Sequence, residues 1–146
     1  MKSPLLDSID RKIINRLQLD CRVTLKCIAR QVGLTPPAVA ERITRLEEHG
    51  IIRGHTVGID RLSIGYPISG FILVAPRTDR YHDFCGFCEN CENIDRHYRL
   101  DGAYQALLHF AVRKISDLDL LLQHIKSYGN SVTSIELGVF FDRKDL

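Results

Sequence analysis

Apolar residues follow two different rhythms along this chain, and the change between them divides it. Up to about residue 50 they recur every three or four positions, the spacing of amphipathic helices. In "LDSIDRKIINRLQLD" the stripe is Leu6, Ile9, Ile13, Ile14 and Leu17. Asp7 stands where an N-cap belongs, and Asp10 suits the positive end of a helix. In "TLKCIARQVG" Thr24 is the cap, Leu25, Ile28, Ala29 and Val32 are the stripe, and Gly33 is a left-handed terminator. In "LTPPAVAERITRLEEHG" Thr35 caps, Pro36 takes the first helical position, where its missing N–H is harmless, and Gly50 ends the segment. Beyond residue 60 the pattern shortens. "ISGFILVAP" is a buried strand, "DRYHDFCGFCENC" a helix, and "NIDRHYRLDG" and "AYQALLHFAVR" two strands joined by an Asp101-Gly102 hairpin signal. "SDLDLLLQHIKSYG" is a helix with Ser116 as its cap and Gly129 as its end, and "SVTSIELGVFF" is the last strand. Between the halves, "IIRGHTV" alternates as a short strand and "DRLSIGYP" reads as a loop.

Three close-set helices, with only "GLT" between the second and third, form a helix-turn-helix unit. The βαββαβ order that follows predicts a ferredoxin-like sandwich. The expected fold is therefore α+β: an N-terminal three-helix helix-turn-helix domain over residues 1–60, linker strand included, joined to a C-terminal ferredoxin-like βαββαβ domain over 61–146. In the third helix Val39, Ile43 and Leu46 share the inward stripe. Ala38, Glu41, Arg42 and Arg45 follow at i, i+3, i+4 and i+7 on another flank. A flank that is small at its N-terminal end and carries guanidinium groups further on suits close approach to base edges and phosphates. The alternative for the same pattern is a protein-interaction module.

Charge leans the same way without deciding it. Residues 1–60 hold 10 Lys and Arg against 7 Asp and Glu, a balance of +3, whereas residues 61–146 hold 10 against 11, a balance of −1. No run of apolar residues is long enough to span a membrane. Acidic residues early in "MKSPLLDSIDRK" exclude a signal peptide. Five cysteines without a secretory context read as reduced thiols in a cytoplasm.

The stretches "LDSIDRKIINRLQLDCR", "IARQVGLTPPAVAERITRLEEHGII" and "GHTVGID" resemble, in register, the N-terminal half of the Lrp/AsnC family, the feast/famine regulators of bacteria and archaea. The second half resembles the family more loosely. The resemblance implies a sequence-specific DNA-binding transcriptional regulator. It implies double-stranded DNA as partner, a homodimer or higher oligomer (octamers in the family) and DNA-facing residues Thr35, Pro36, Pro37, Ala38, Glu41, Arg42 and Arg45. It also implies a domain that senses small molecules, most often amino acids, partly with the turn after the second strand. That gives Leu100, Asp101, Gly102, Ala103, Tyr104 and Gln105, with Ser134 from the last strand. Gln105 stands where an Asp is usual, and Ile135 and Leu137 align with Thr positions of effector responders. A pocket for an amino acid needs convergent polar groups, so these positions are read either as an effector site or as an oligomer interface alone.

Three cysteines, Cys85, Cys88 and Cys91, recur every third residue in "FCGFCENCEN". At about 100° per residue they share one broad helical face, as packing against a sheet requires. A zinc or iron–sulfur site would need a fourth ligand, and His82 and His97 lack a supporting spacing. The cysteines are read as packing residues, with thiol redox sensing the alternative. No cofactor and no metal are called for. The six histidines are scattered, no nucleophile motif or phosphate loop appears, and the chain is read as no enzyme. Two other readings share the architecture. One is a DNA-bending protein with little sequence preference. The other resembles the siroheme decarboxylases, whose DNA-binding half is degenerate, whereas the caps, stripes and arginines here are intact.

Overall fold

The computed structural model describes residues 6–139, which fall into two compact units dividing between Gly58 and Ile59. The first unit contains α1 (Ser8–Leu19), α2 (Leu25–Val32) and α3 (Pro36–Glu48). Their apolar stripes meet in a core of Ile13, Ile28, Ala29 and Val39, with Ile9, Leu17, Val23, Val32, Leu34 and Ile43 packed around it. Each helix starts on an oxygen-bearing cap: Asp7, Thr24 and Thr35 accept from the N–H groups of Asp10, Cys27 and Ala38. The turn from α2 into α3 depends on Gly33, whose φ of 71° lies in the left-handed region that glycine enters without steric cost. The Leu34 N–H then bonds back to the Ala29 carbonyl at 3.0 Å.

The second unit runs β1 (Ile68–Pro76), a 3₁₀ turn over Thr78–Arg80, α4 (Tyr81–Asn90), β2 (Ile94–Arg99), β3 (Ala106–Val112), α5 (Ile115–Lys126) and β4 (Gly129–Ile135). The sheet is antiparallel with order β2-β3-β1-β4. Ile72 and Val74 of β1 and Ala106, Leu108, Phe110 and Val112 of β3 point to one face. There they pack with Phe84 and Cys88 of α4 and Leu118, Leu121 and Ile125 of α5. Gly70 is required where β1 passes β4, because a Cβ there would run into the Ser134 carbonyl oxygen. This is the ferredoxin-like α+β arrangement expected from the element order.

Among the described residues, no helix of this unit covers the opposite face of the sheet. Alternation along the strands places Phe71, Leu73, Leu107, Tyr98 and Val132 there. Phe71, Tyr98 and Val132 remain 40%, 43% and 49% exposed. One end of this face is polar. His109 lies beside Phe71 with the rings tilted by 58° and 5.1 Å between centroids, its Nδ1 lies 3.2 Å from Asp95 Oδ2 and its Nε2 lies 3.7 Å from Glu136 Oε2. Arg61 pairs with the same Asp95.

Four local expectations are corrected. "IIRGHTV" forms no strand, since a strand exists only against a neighbour and none lies beside it among the described residues. The Asp101-Gly102 hairpin opens into a loop over residues 100–105, because the ladder closes only at Arg99 and Ala106. There the Leu100 N–H bonds the Gln105 carbonyl at 2.8 Å, and the Gln105 carboxamide donates to the Gly102 carbonyl at 3.0 Å. Lys114, not Ser116, precedes α5, and the Asp117 carboxylate accepts from its N–H at 3.1 Å. The last strand stops at Ile135, with residues 136–139 outside it and the final Phe-Phe pair beyond the described residues.

Candidate nucleic-acid interface

The first turn of α3 is open to solvent. Thr35 Oγ1 accepts from the Ala38 N–H at 3.4 Å, and Pro36 needs no partner for its nitrogen. Thr35, Pro36, Pro37 and Glu41 are exposed and Ala38 is half-buried. Thr44 and Glu48 extend the stripe of Pro37 and Glu41 at i+7 and i+11, so the outward face of α3 is small and acidic. Exposed basic groups stand nearby in the chain on and before α2, at Arg22, Lys26 and Arg30.

Arg42 and Arg45, expected on the same DNA-facing flank, turn instead toward the start of α1. Arg42 Nη1 donates to Asp7 Oδ2 at 2.6 Å and to Asp10 Oδ1 at 2.7 Å. Arg45 Nη2 donates to both oxygens of Asp10, at 3.0 and 2.9 Å. Asp7 and Asp10 also cap one another's backbone. Asp7 Oδ1 accepts from the Asp10 N–H at 2.7 Å, and Asp10 Oδ2 accepts from the Asp7 N–H at 3.3 Å. The Asp10 N–H, and after it the Arg42 guanidinium, hold the Asp7 carboxyl below its ordinary value of 3.8. The hydrogen bond to Asp7, and then that to Asp10, push the Arg42 guanidinium above its ordinary value. Asp10 is only 2% exposed, so its charge is tolerable because both oxygens are met by guanidinium donors. The Arg45 side chain stays 50% exposed, beside a groove of about 230 Å³ lined also by Asp10, Leu46, His49 and Ile51. The clamp fixes the pose of α3 against α1 through charge as well as through apolar packing.

The effector candidates do not converge within one chain. Leu100, Asp101, Gly102 and Ala103 are exposed in the 100–105 loop, Tyr104 and Gln105 are half-buried, and the Gln105 amide already serves the loop itself. That loop hangs from the end of the sheet where Ala106 faces Val74. Ser134 pairs with Phe71, three residues further along β1 and on its other side, which is about 10 Å along the strand.

The three cysteines pack. Cys88 is buried in the core, and Cys85 and Cys91 lie against it. Burial, and then the neighbouring Cys85 and Cys91 sulfurs, push the Cys88 thiol up to about 12. Among the described residues no cluster of three or more His, Cys, Asp or Glu is placed to hold a metal ion. His97 meets the edge of Phe84 at 5.4 Å, and burial lowers its pKa below 6.5.

An AsnC-type helix-turn-helix domain model matches residues 6–47, the segment that builds the capped three-helix unit. The chain is 31% identical to the HTH-type transcriptional regulator LrpA of Mycobacterium tuberculosis over 97% of both chains. It belongs to the Lrp/AsnC family of transcriptional regulators. Among solved structures, LrpC of Bacillus subtilis superposes with a TM-score of 0.88 at 28% identity, over 94% of this chain and 99% of that one. A Neisseria meningitidis transcriptional regulator, solved as a complex with L-Met, shares the fold with a TM-score of 0.86 at 24% identity, over 97% of this chain and 96% of that one.

As an Lrp/AsnC member the chain is a DNA-binding transcriptional regulator and not an enzyme. Among its described residues no helix is long and apolar enough to cross a membrane. Two features of this family member escaped the sequence reading. Thr44 was missed because it lacks charge, although its spacing from Pro37 and Glu41 marks it. The Asp10 clamp was missed although Asp10 stands three, four and seven residues before Ile13, Ile14 and Leu17. A carboxylate on an apolar stripe calls for a cationic partner.

Proposed function

We propose that the protein is a cytoplasmic regulator that binds specific duplex DNA as a homodimer. Each copy offers the start of α3 to one major groove, the two grooves lying about 34 Å apart on one side of the duplex. Thr35, Pro36, Pro37, Ala38, Glu41 and Thr44 form the surface brought to the bases, where Glu41 is suited to accept from a cytosine amino group. Arg22, Lys26 and Arg30 supply phosphate contacts. Arg42 and Arg45 support α3 from the α1 side. The open apolar face of the sheet is the dimer surface, and higher oligomers follow from pairing such dimers. A small-molecule effector of the amino-acid class at residues 100–105 and Ser134 would have to bind across subunits, because the sheet register keeps these groups apart within one. The observation that carries the reading is the exposed, side-chain-capped start of α3, fixed to α1 by four charge-assisted hydrogen bonds.

The test is a gel shift of the purified protein on the DNA upstream of its own gene, against excess unrelated duplex across a salt series. Retention of the upstream complex is expected. Equal competition by any duplex would instead support a DNA-bending protein with little sequence preference. An absence of complex at low salt would refute both readings.

A further inference from the structure

We propose that Asp10 is a positioning residue for DNA recognition, one that withholds the Arg45 guanidinium from phosphate and so sharpens the preference for specific over unrelated DNA. This rests on the DNA-binding reading above. Arg42 and Arg45 lie one turn apart on α3, on the flank next to the outward stripe of Pro37, Glu41 and Thr44. A guanidinium uses the same donor fork for phosphate and for carboxylate. Arginines on a helix presented to a duplex would therefore find phosphates if nothing nearer competed. Asp10 competes from within the domain, receiving Arg45 Nη2 on both oxygens at 3.0 and 2.9 Å and Arg42 Nη1 at 2.7 Å.

Asp7, Asp10, Arg42 and Arg45 together sum to zero charge, so this flank adds nothing to the attraction that any duplex exerts. That attraction is sequence-independent, and strengthening it erodes the ratio of specific to unrelated binding. What α3 then shows to DNA is a small, hydrogen-bonding and acidic surface, which gains from the right bases and little from phosphate alone. The two arginines are not equally held. Arg42 keeps a second partner in Asp7 at 2.6 Å, whereas Arg45 depends on Asp10 and is already 50% exposed. Loss of the Asp10 charge therefore frees Arg45 first.

The experiment uses the full chain as wild type, Asp10→Asn, Arg45→Gln and the double variant. Fluorescence anisotropy is measured on two duplexes, one enriched by the wild type from a random-sequence pool and one a scramble of it, between 50 and 200 mM salt. Asp10→Asn is expected to steepen the salt dependence on the scrambled duplex by about 0.9 in log–log slope, the share of one phosphate contact. Over this fourfold salt range that is an extra change of about 3.5-fold, with the preference for the enriched duplex falling correspondingly. Arg45→Gln in the Asp10→Asn background returns the slope to the wild-type value. An unchanged or shallower slope in folded Asp10→Asn overturns the proposal. If Asp10→Asn does not fold, Arg45→Gln alone decides. The proposal expects the wild-type slope to survive it, and a slope shallower by about 0.9 would mean that Arg45 already holds a phosphate. A wild type that does not prefer the enriched duplex would refute the DNA-binding reading itself, which separates that failure from this one.

Discussion

Replacing Phe71 by Ala removes the largest apolar side chain at the middle of the open sheet face. Phe71 is 40% exposed in the single chain, with Tyr98 and Val132 exposed beside it on the neighbouring strands. A phenylalanine side chain presents about 200 Å². The part still open to water, at the 40% exposure of Phe71, is then about 80 Å². Covering it with a second copy is worth about 2 kcal/mol at about 25 cal/mol per Å². A two-fold dimer loses this twice, about 4 kcal/mol in all, which weakens its dissociation constant roughly a thousandfold. The fold itself should survive, because Phe71 lies outside the core shared by the sheet with α4 and α5. Sedimentation velocity across a dilution series reads the constant directly, with circular dichroism confirming the fold. A dimer of unchanged strength, or a wild type that stays monomeric at every concentration, would refute the assignment of this face to self-association. DNA affinity supplies a second readout, since the proposed two-headed grip loses half its contacts when the dimer dissociates.

Other predictions follow from the caps and the buried titratable groups. Thr35→Ala removes the side-chain acceptor at the start of α3 and should lower the stability of the N-terminal unit by about 1 kcal/mol, read by chemical denaturation. Its DNA affinity should fall too if, as proposed, the frayed turn is the one offered to the groove. His97, lowered by burial, takes up a proton more readily unfolded than folded. The C-terminal unit should therefore keep its full stability above pH 6.5 and lose stability as pH falls below it. Denaturation midpoints at pH 7.5 and pH 5.5 would show the loss, and His97→Gln should flatten that dependence. Cys88, at about 12, should resist alkylation in the folded protein at pH 8 while the exposed Cys21 reacts, as peptide mapping after brief iodoacetamide treatment would reveal.

Features dictated by neighbouring residues were open to a reading of the sequence. Asp7, Thr24 and Thr35 cap as expected because a cap is decided within three residues, and Gly33 turns left-handed because the tight link to α3 leaves few other residues able to do so. The strands of the second unit were legible from buried or alternating apolar runs, and their order from the helices between them. What failed needed a distant partner. The helical wheel separated Arg42 and Arg45 from the apolar stripe but could not show that α1, 32 to 35 residues earlier, would meet them with carboxylates. "IIRGHTV" alternates like a strand, yet alternation supplies no neighbour. Asp101-Gly102 has the chemistry of a two-residue turn, but the Gln105 N–H bonds the Val74 carbonyl on β1 at 3.0 Å, and the closing pair of the ladder lies one residue later.

The two hydrophobic cores have no residue in common. One is built from Ile13, Ile28, Ala29 and Val39, the other from Ile72 through Ile125, and the seam between the units falls at Gly58 and Ile59. Inheritance can therefore act on them as two separate parts. On the reading proposed above, a gene exchange at the seam would join a new DNA address to an old assembly, or an old address to a new one.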